Sequence, residues 1–232
     1  MAVTVPSDDK AIAIDLERQA TASPREQVDP RLGHRGKANP TPLGLLAFAT
    51  SIFMISLVNL QPRGLKTPNI IVGVLVFYGG IAQVIVGILE FVFGNTFGGT
   101  LFSSYAAFNL SYALIFIPGS GIIAAYTDTA TGELMPEFDQ AIAMFAWTWF
   151  VVSIVFTVAT IRRSVVIVSA LIFVDLTLIL LAVGYMLDNK QCLTGSAGTG
   201  FITAALVFWQ GAAELWGVTT PFRIPVGSLK KE

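Results

Sequence analysis

The sequence predicts an all-α fold, a polytopic membrane protein with six transmembrane helices, and three observations lead there. The 232 residues are 54% hydrophobic and only 12% charged, with a mean hydropathy of +0.71. A soluble domain carries roughly 25% charge, and a chain this poor in charge cannot cover its own surface with polar groups. Six apolar segments approach the ~20 residues a helix needs to cross the hydrocarbon core. The Lys and Arg residues fall unevenly between the connectors.

The segments are 43–60, 70–93, 97–117, 141–161, 165–187 and 201–218. Breakers separate them: Gln61-Pro62-Arg63-Gly64, Gly94-Asn95, Pro118-Gly119-Ser120-Gly121, Arg162-Arg163 and Asp188-Asn189-Lys190. The second, fourth and fifth segments are clear. Polar residues interrupt the start of the third. Soluble buried helices are the competing reading, and six segments of this length oppose it.

Residues 1–38 read as a largely disordered cytoplasmic tail. Six basic and six acidic residues precede Thr41, with Pro6, Pro24 and Pro30 among them. Such a stretch cannot bury enough apolar surface to offset its ordering entropy. Only Lys10 to Ala20 suggests a weak helix. Residues 39–220 form the membrane domain, and 221–232 a short cytoplasmic C-terminal tail. No signal peptide is expected, because the first apolar run begins after residue 40 rather than behind a basic start.

Orientation follows from loop charge. With the N-terminus inside, the inner segments hold eleven of the fourteen Lys and Arg residues, and the outer loops hold Arg63, Lys66 and Lys190. The outer loop from Pro118 to Gln140 has four acids and no base. Both termini are therefore expected in the cytoplasm of a cell-membrane protein. One cysteine, Cys192, and one histidine, His34, argue against a disulfide framework, a metal site or any other cofactor. The net charge of -1 gives no basic face for nucleic acid. No nucleophile–base set stands out, so an enzyme is not expected.

Polar groups at membrane depth are costly and invite functional readings. Glu90, Asp175 and Glu214 are the acids inside the predicted spans. Glu90 and Glu214 lie near span ends, where reaching out to the interface competes with a buried role. Asp175 lies mid-helix, and either pairs with a neighbouring helix or lines a water path. Glu90 and Asp175 are the candidate proton carriers. Gly73, Gly80, Gly87 and Gly94 recur every seven residues, which suits close helix packing. Gln83 lies beside that stripe and faces either a pore or a partner helix.

Two places break the ordinary pattern. In Asn39-Pro40-Thr41-Pro42-Leu43-Gly44, Asn39 suits an N-cap and Pro40 the first helical turn. Such a start offers free N–H groups to an anion as well as a cap. Gly94-Asn95-Thr96-Phe97-Gly98-Gly99-Thr100 is uncharged and glycine-rich, which suits a tight re-entrant or broken segment of the kind that binds substrates in transporters. Ser103, Ser104, Tyr105 and Asn109 continue a polar face from it.

These motifs together resemble the acetate uptake transporter family, which includes the bacterial succinate–acetate permeases and the fungal acetate and ammonia-export proteins. Asn39 to Leu45 resembles the signature that opens the family's first helix. Phe77-Tyr78-Gly79-Gly80-Ile81-Ala82-Gln83, then Glu90 with Gly94 to Gly98, then Ser104-Tyr105, and finally Leu180 to Gly184, are similar to later blocks in the same order. The long N-terminal tail and Phe173 to Thr177 look like the fungal branch.

The resemblance implies a homohexamer with a pore inside each protomer. It implies an apolar constriction at Phe48, Tyr105 and Val174, the last replacing a leucine of bacterial relatives. It also implies passage of acetate and other short mono- or dicarboxylates, proton-linked. Substrate donors are expected at Asn39, Thr41, Gln83, Asn95, Thr96, Ser104 and Asn109. Asn109 stands where the family usually has tryptophan, so acetate is not assumed to be the only cargo. No Lys or Arg lies inside the spans, which favours passage over capture. The partners expected are therefore a small carboxylate, the bilayer and further copies of the chain. Two alternatives remain at this stage: a membrane nutrient sensor for acetate, and an ammonium-related exporter.

Overall fold

The computed structural model describes residues 38–65, 67–221 and 224–229. Pro40–Glu232 is one compact unit. The expected tail, its weak helix, and the charges Lys66, Arg223, Lys230 and Lys231 lie outside the described residues.

Among the described residues, six long helices dominate the unit. The first, α1, runs Thr41–Asn59 with Pro40 at its cap position and no side-chain cap hydrogen bond. The expected start was one step off. Pro40 and Pro42 have no N–H, so the ladder begins with the amides of Leu43 and Gly44 donating to the Pro40 carbonyl at 3.1 and 3.4 Å. Asn39 is exposed.

Helix α2 spans Pro68–Val92. It opens as a 3-10 turn at Pro68–Ile70, widens to a π-helix over Val74–Ala82, and returns to α over Gln83–Val92. Long π segments are rare and favour functional places. The widening rotates the glycines out of a single stripe. A Cβ at Gly80 or Gly87 would collide with Leu110 or Ser103 of the next helix, whereas one at Gly73 would meet nothing.

Gly94 does not open a re-entrant segment. It makes the turn, at φ +81°, and Asn95 caps α3, Thr96–Phe116, by accepting from the Gly98 amide at 3.1 Å. The short capped turn Phe93-Gly94-Asn95 satisfies the backbone, so nothing forces the chain back into the membrane. A loop with a short helix, Ile122–Ala125, leads to α4, Glu137–Thr160. Ser164 caps α5, Val165–Met186.

Asn189 caps α6, which runs Lys190–Thr219 and so begins well before the expected residue 201. The added turns carry Gly195, Gly198 and Gly200, poor helix formers in isolation. They are used for contact: a Cβ on Gly200 would fall 2.1 Å from Ser56 Oγ of α1.

Among the described residues, five helices are long and apolar enough to cross a membrane: α1, α2, α4, α5 and α6. Helix α3 has the length, at 21 residues. Its threonines, serines, glycines and Asn109 keep it out of that set. The long helices pack α6 against α5 and α1, α5 against α4, and α2 against α3. Backbones of α3 and α4 seldom approach closely. Large rings fill the gap instead, with Phe108 near Phe145 and Trp149, and Tyr105 near Phe156. This ring of helices encloses a central column, while residues such as Phe77, Val92, Val151 and Val158 expose their apolar side chains outward.

Candidate functional site

Two cavities lie along that column. The larger, about 290 Å³, is lined by residues that include Thr41, Asn95, Phe97, Arg163, Ser164 and Gln210. The smaller, about 50 Å³, is lined by residues that include Ser51, Asn109, Trp149, Thr177 and Ser196. One water needs about 10–15 Å³ of such space, so the first has room for a small pool and the second for only a few molecules. Phe48, Tyr105 and Val174 line both.

Those three side chains come from α1, α3 and α5, and all are buried. Each sits where its helix turns a bulky group toward the column. The Phe48 and Tyr105 rings are tilted with centroids 4.7 Å apart. Tyr105 also packs on Phe156 at 5.7 Å, and its hydroxyl shares a 3.2 Å hydrogen bond with the buried Ser153 Oγ. The junction is therefore apolar toward the cavities, with its one hydroxyl already engaged.

At the floor of the larger cavity a polar corner joins three elements. Thr41 Oγ1 donates to Glu90 Oε1 at 2.5 Å, and Asn95 Nδ2 donates to Glu90 Oε2 at 2.6 Å. Glu90 is only 3% exposed. It therefore does not reach out to the interface. It ties the start of α1 to the α2–α3 turn.

Beside the smaller cavity, Asn109 Nδ2 donates to the Gly79 carbonyl and to Gln83 Oε1, both at 3.1 Å. Gln83 Nε2 donates to the Gly44 carbonyl at 3.2 Å. The residue that replaces the expected tryptophan thus bonds the π segment of α2. Ladder bonds are redistributed where a helix widens, and an inserted side chain can satisfy the displaced carbonyls.

Asp175 lies on α5 next to Val174 but lines neither cavity. Its Oδ2 accepts from Thr157 Oγ1 of α4 at 2.7 Å. Its Oδ1 is buried with no hydrogen-bond partner.

The structure therefore brings Thr41 and Asn95 to the larger cavity and Asn109 to the smaller one. Gln83 and Glu90 stand directly behind those groups. Thr96 is exposed, and neither it nor Ser104 lines a cavity.

Sequence reasoning missed two residues. Ser153 joins Tyr105 from within an apolar run and leaves no local signal. Arg163 lies outside the spans yet lines the larger cavity, with its guanidinium 4.0 Å from the centroid of the Phe97 ring. Burial pushes its pKa down, and the Glu90 carboxylate acts in the other direction. Arg163, in the connector outside the expected spans, thus adds a base to the lining of the larger cavity. The signal was the Ser164 cap that fixes the turn against α5.

Acetate permease A of Emericella nidulans is 37% identical over 64% of the chain and 50% of its own length. Ammonia transport outward protein 2 of Saccharomyces cerevisiae is 32% identical over 75% of the chain and 60% of its own length. The succinate-acetate/proton symporter SatP of Escherichia coli K12 is 30% identical over 79% of the chain and 92% of its own length. The chain spans half to two thirds of the length of the fungal relatives it matches. A solved structure of the bacterial acetate channel SatP superposes with a TM-score of 0.70 at 28% identity, covering 83% of this chain and all of that one. With the GPR1/FUN34/yaaH description matching residues 24–231, the chain belongs to the GPR1/FUN34/yaaH family.

Proposed function

We propose that this protein is a transmembrane passage for small carboxylates, acetate foremost, running through the column inside each protomer. The observation that carries the reading is that two cavities share only Phe48, Tyr105 and Val174 among their linings. That is the arrangement of two vestibules divided by a neck. Acetate permease A and the SatP proteins are named for the same cargo class.

The physics of the neck sets the chemistry. Moving a bare carboxylate out of water costs on the order of tens of kcal/mol in a dry low-dielectric site. A neck of rings and one valine supplies no compensating donor. The acid therefore crosses still partly hydrated or together with a proton. Of the two proton candidates, Asp175 suits the role better. Both Glu90 oxygens are engaged by Thr41 and Asn95, whereas Asp175 keeps one oxygen without a partner. Thr41 and Asn95 border the larger vestibule and hold Glu90 beside it, and Asn109 borders the smaller. Gln83 orients Asn109. Helix α3 is the sixth crossing: flanked by α2, it needs less apolar surface of its own. Both termini face the cytoplasm, and the outward apolar faces meet lipid and neighbouring copies in a hexamer.

The test is uptake by liposomes containing the purified protein, with a panel of mono- and dicarboxylates and with ammonium, at acidic and neutral pH. Acetate is expected to enter well above the rate in empty vesicles. Acetate binding without flux would establish the sensor instead, and ammonium movement without acetate the exporter. Phe48→Ala is expected to admit larger acids; an unchanged size profile removes Phe48 from the neck.

A further inference from the structure

Arg163 occupies an unusual position for a cation. Its amide donates to the Thr160 carbonyl at 2.8 Å, and its carbonyl accepts from the Leu229 amide at 3.0 Å, so its backbone is held from both sides. Its guanidinium lies over the Phe97 ring inside the lining of the larger cavity. One face of the planar group is thereby used in a cation–π contact, and its edges remain. Among the described residues it has no side-chain hydrogen bond and no carboxylate at ion-pairing distance.

Most of the other donors nearby are spoken for. The first amides of α5, at Val165 and Val166, donate to the Gly227 and Val226 carbonyls at 2.8 and 3.4 Å. Ser164 Oγ donates to Gln210 Oε1 at 3.3 Å, and Gln210 Nε2 donates to Glu214 Oε1 at 3.3 Å. Thr41 and Asn95, across the cavity, donate to Glu90. An exposed guanidinium whose edges are free, at the lining of a cavity with room for water, is matched by a planar anion that can accept two of its N–H groups.

We propose that Arg163 is the carboxylate-docking residue of the larger cavity, a staging site between the open mouth and the Phe48–Tyr105–Val174 neck. The inference rests on the transport reading for its cargo and deepens it. Two acids face the site. Glu214 shares the lining, and Glu90 lies behind Thr41 and Asn95 with its oxygens turned into them. Both weaken anion retention without competing for the guanidinium edge. The site therefore concentrates the anion and releases it, as conduction requires. Phe97 is a positioning residue, because it sets where the charge lies and touches no substrate oxygen.

The experiment pairs binding with flux on the full chain. Acetate binding is followed by NMR line broadening of carbon-13-labelled acetate in detergent, and uptake is followed in liposomes. Arg163→Gln is expected to raise the half-saturating acetate concentration about tenfold, the size of one lost charge-assisted contact. Acetamide, the neutral isostere, is expected to pass at the wild-type rate through the same variant. Arg163→Lys keeps the charge but loses the fork and is expected to fall between the two. Phe97→Leu checks the seat without altering charge and is expected to weaken acetate binding with acetamide flux intact.

An unchanged half-saturation in Arg163→Gln, or an equal loss for acetate and acetamide, overturns the docking role. If wild type binds acetate but does not transport it, and Arg163→Gln abolishes that binding, the docking role stands while the transport reading falls. If wild type does neither, both fall.

Discussion

Glu90 and Asp175 are both acids carried on strongly apolar helices, and they are housed in opposite ways. Glu90 sits at the end of α2 with each oxygen taken by a short hydrogen bond, from Thr41 and from Asn95. Asp175 sits mid-way along α5 with one bond from Thr157 and one buried oxygen left over. A fully satisfied carboxylate is a fastener, and removing it strands its donors. A half-satisfied one retains a position where a proton can sit. The same carboxylate group is therefore fully hydrogen-bonded in one place and half-bonded in the other.

Glu90→Ala is the most damaging way to probe this difference. It leaves the Thr41 hydroxyl and the Asn95 amide without their acceptor at a three-element junction, and it opens a void. A loss of about 2–4 kcal/mol in stability is expected from stranding buried donors, read as a lower unfolding midpoint in detergent. Glu90→Gln keeps the shape and one acceptor oxygen and is expected to cost less than half as much. Equal losses would mean that the charge rather than the bonds holds the corner.

Asp175→Asn comes next, and its signature lies in function. The bond from Thr157 survives on the amide oxygen, so stability is expected to change by about 1 kcal/mol or less. Acetate flux is expected to lose its dependence on pH between acidic and neutral conditions, because the protonatable group is gone. A variant that unfolds early but keeps the wild-type pH profile assigns Asp175 to the same fastening role as Glu90, and the contrast disappears.

The sequence exposed the two acids unequally, for physical reasons. Helix α5 is legible almost to the residue, because its long apolar run is bounded by the Arg162-Arg163 turn and Asp188, whereas α4 starts four residues before the expected 141, at Glu137. The resemblance of ordered motifs pointed to Phe48, Tyr105 and Val174, which line both cavities. Other features depend on contacts between helices. The π-widening of α2 has no hydropathy signature, and it shifts the phase of the glycine stripe. The early start of α6 depends on Gly200 meeting Ser56, which compensates for poor local propensity. Glu90 looked free to reach the interface, because its partners come from segments 49 and 5 residues away. Arg163 looked like a loop charge, because the linear sequence does not show that the turn folds over Phe97.

The finest separation lies between two neighbours on α5. Val174 is 4% exposed and lines both cavities, while the adjacent Asp175 reaches Thr157 on α4. Successive residues on a helix point about 100° apart, so the neck and the carboxylate are addressed by one turn without sharing a partner. Val174→Leu adds a single methylene to the neck. Overpacking there is expected to cost about 1 kcal/mol of stability. It should slow acetate a few-fold and succinate more, with the pH profile of acetate uptake unchanged. Asp175→Asn should show the reverse, a flattened pH profile with the acetate-to-succinate ratio preserved. Size selection and proton handling are then separable functions of adjacent residues. If either substitution moves both properties together, the neck and the carboxylate form one coupled element, and the orphan oxygen of Asp175 acts by holding Val174 in place.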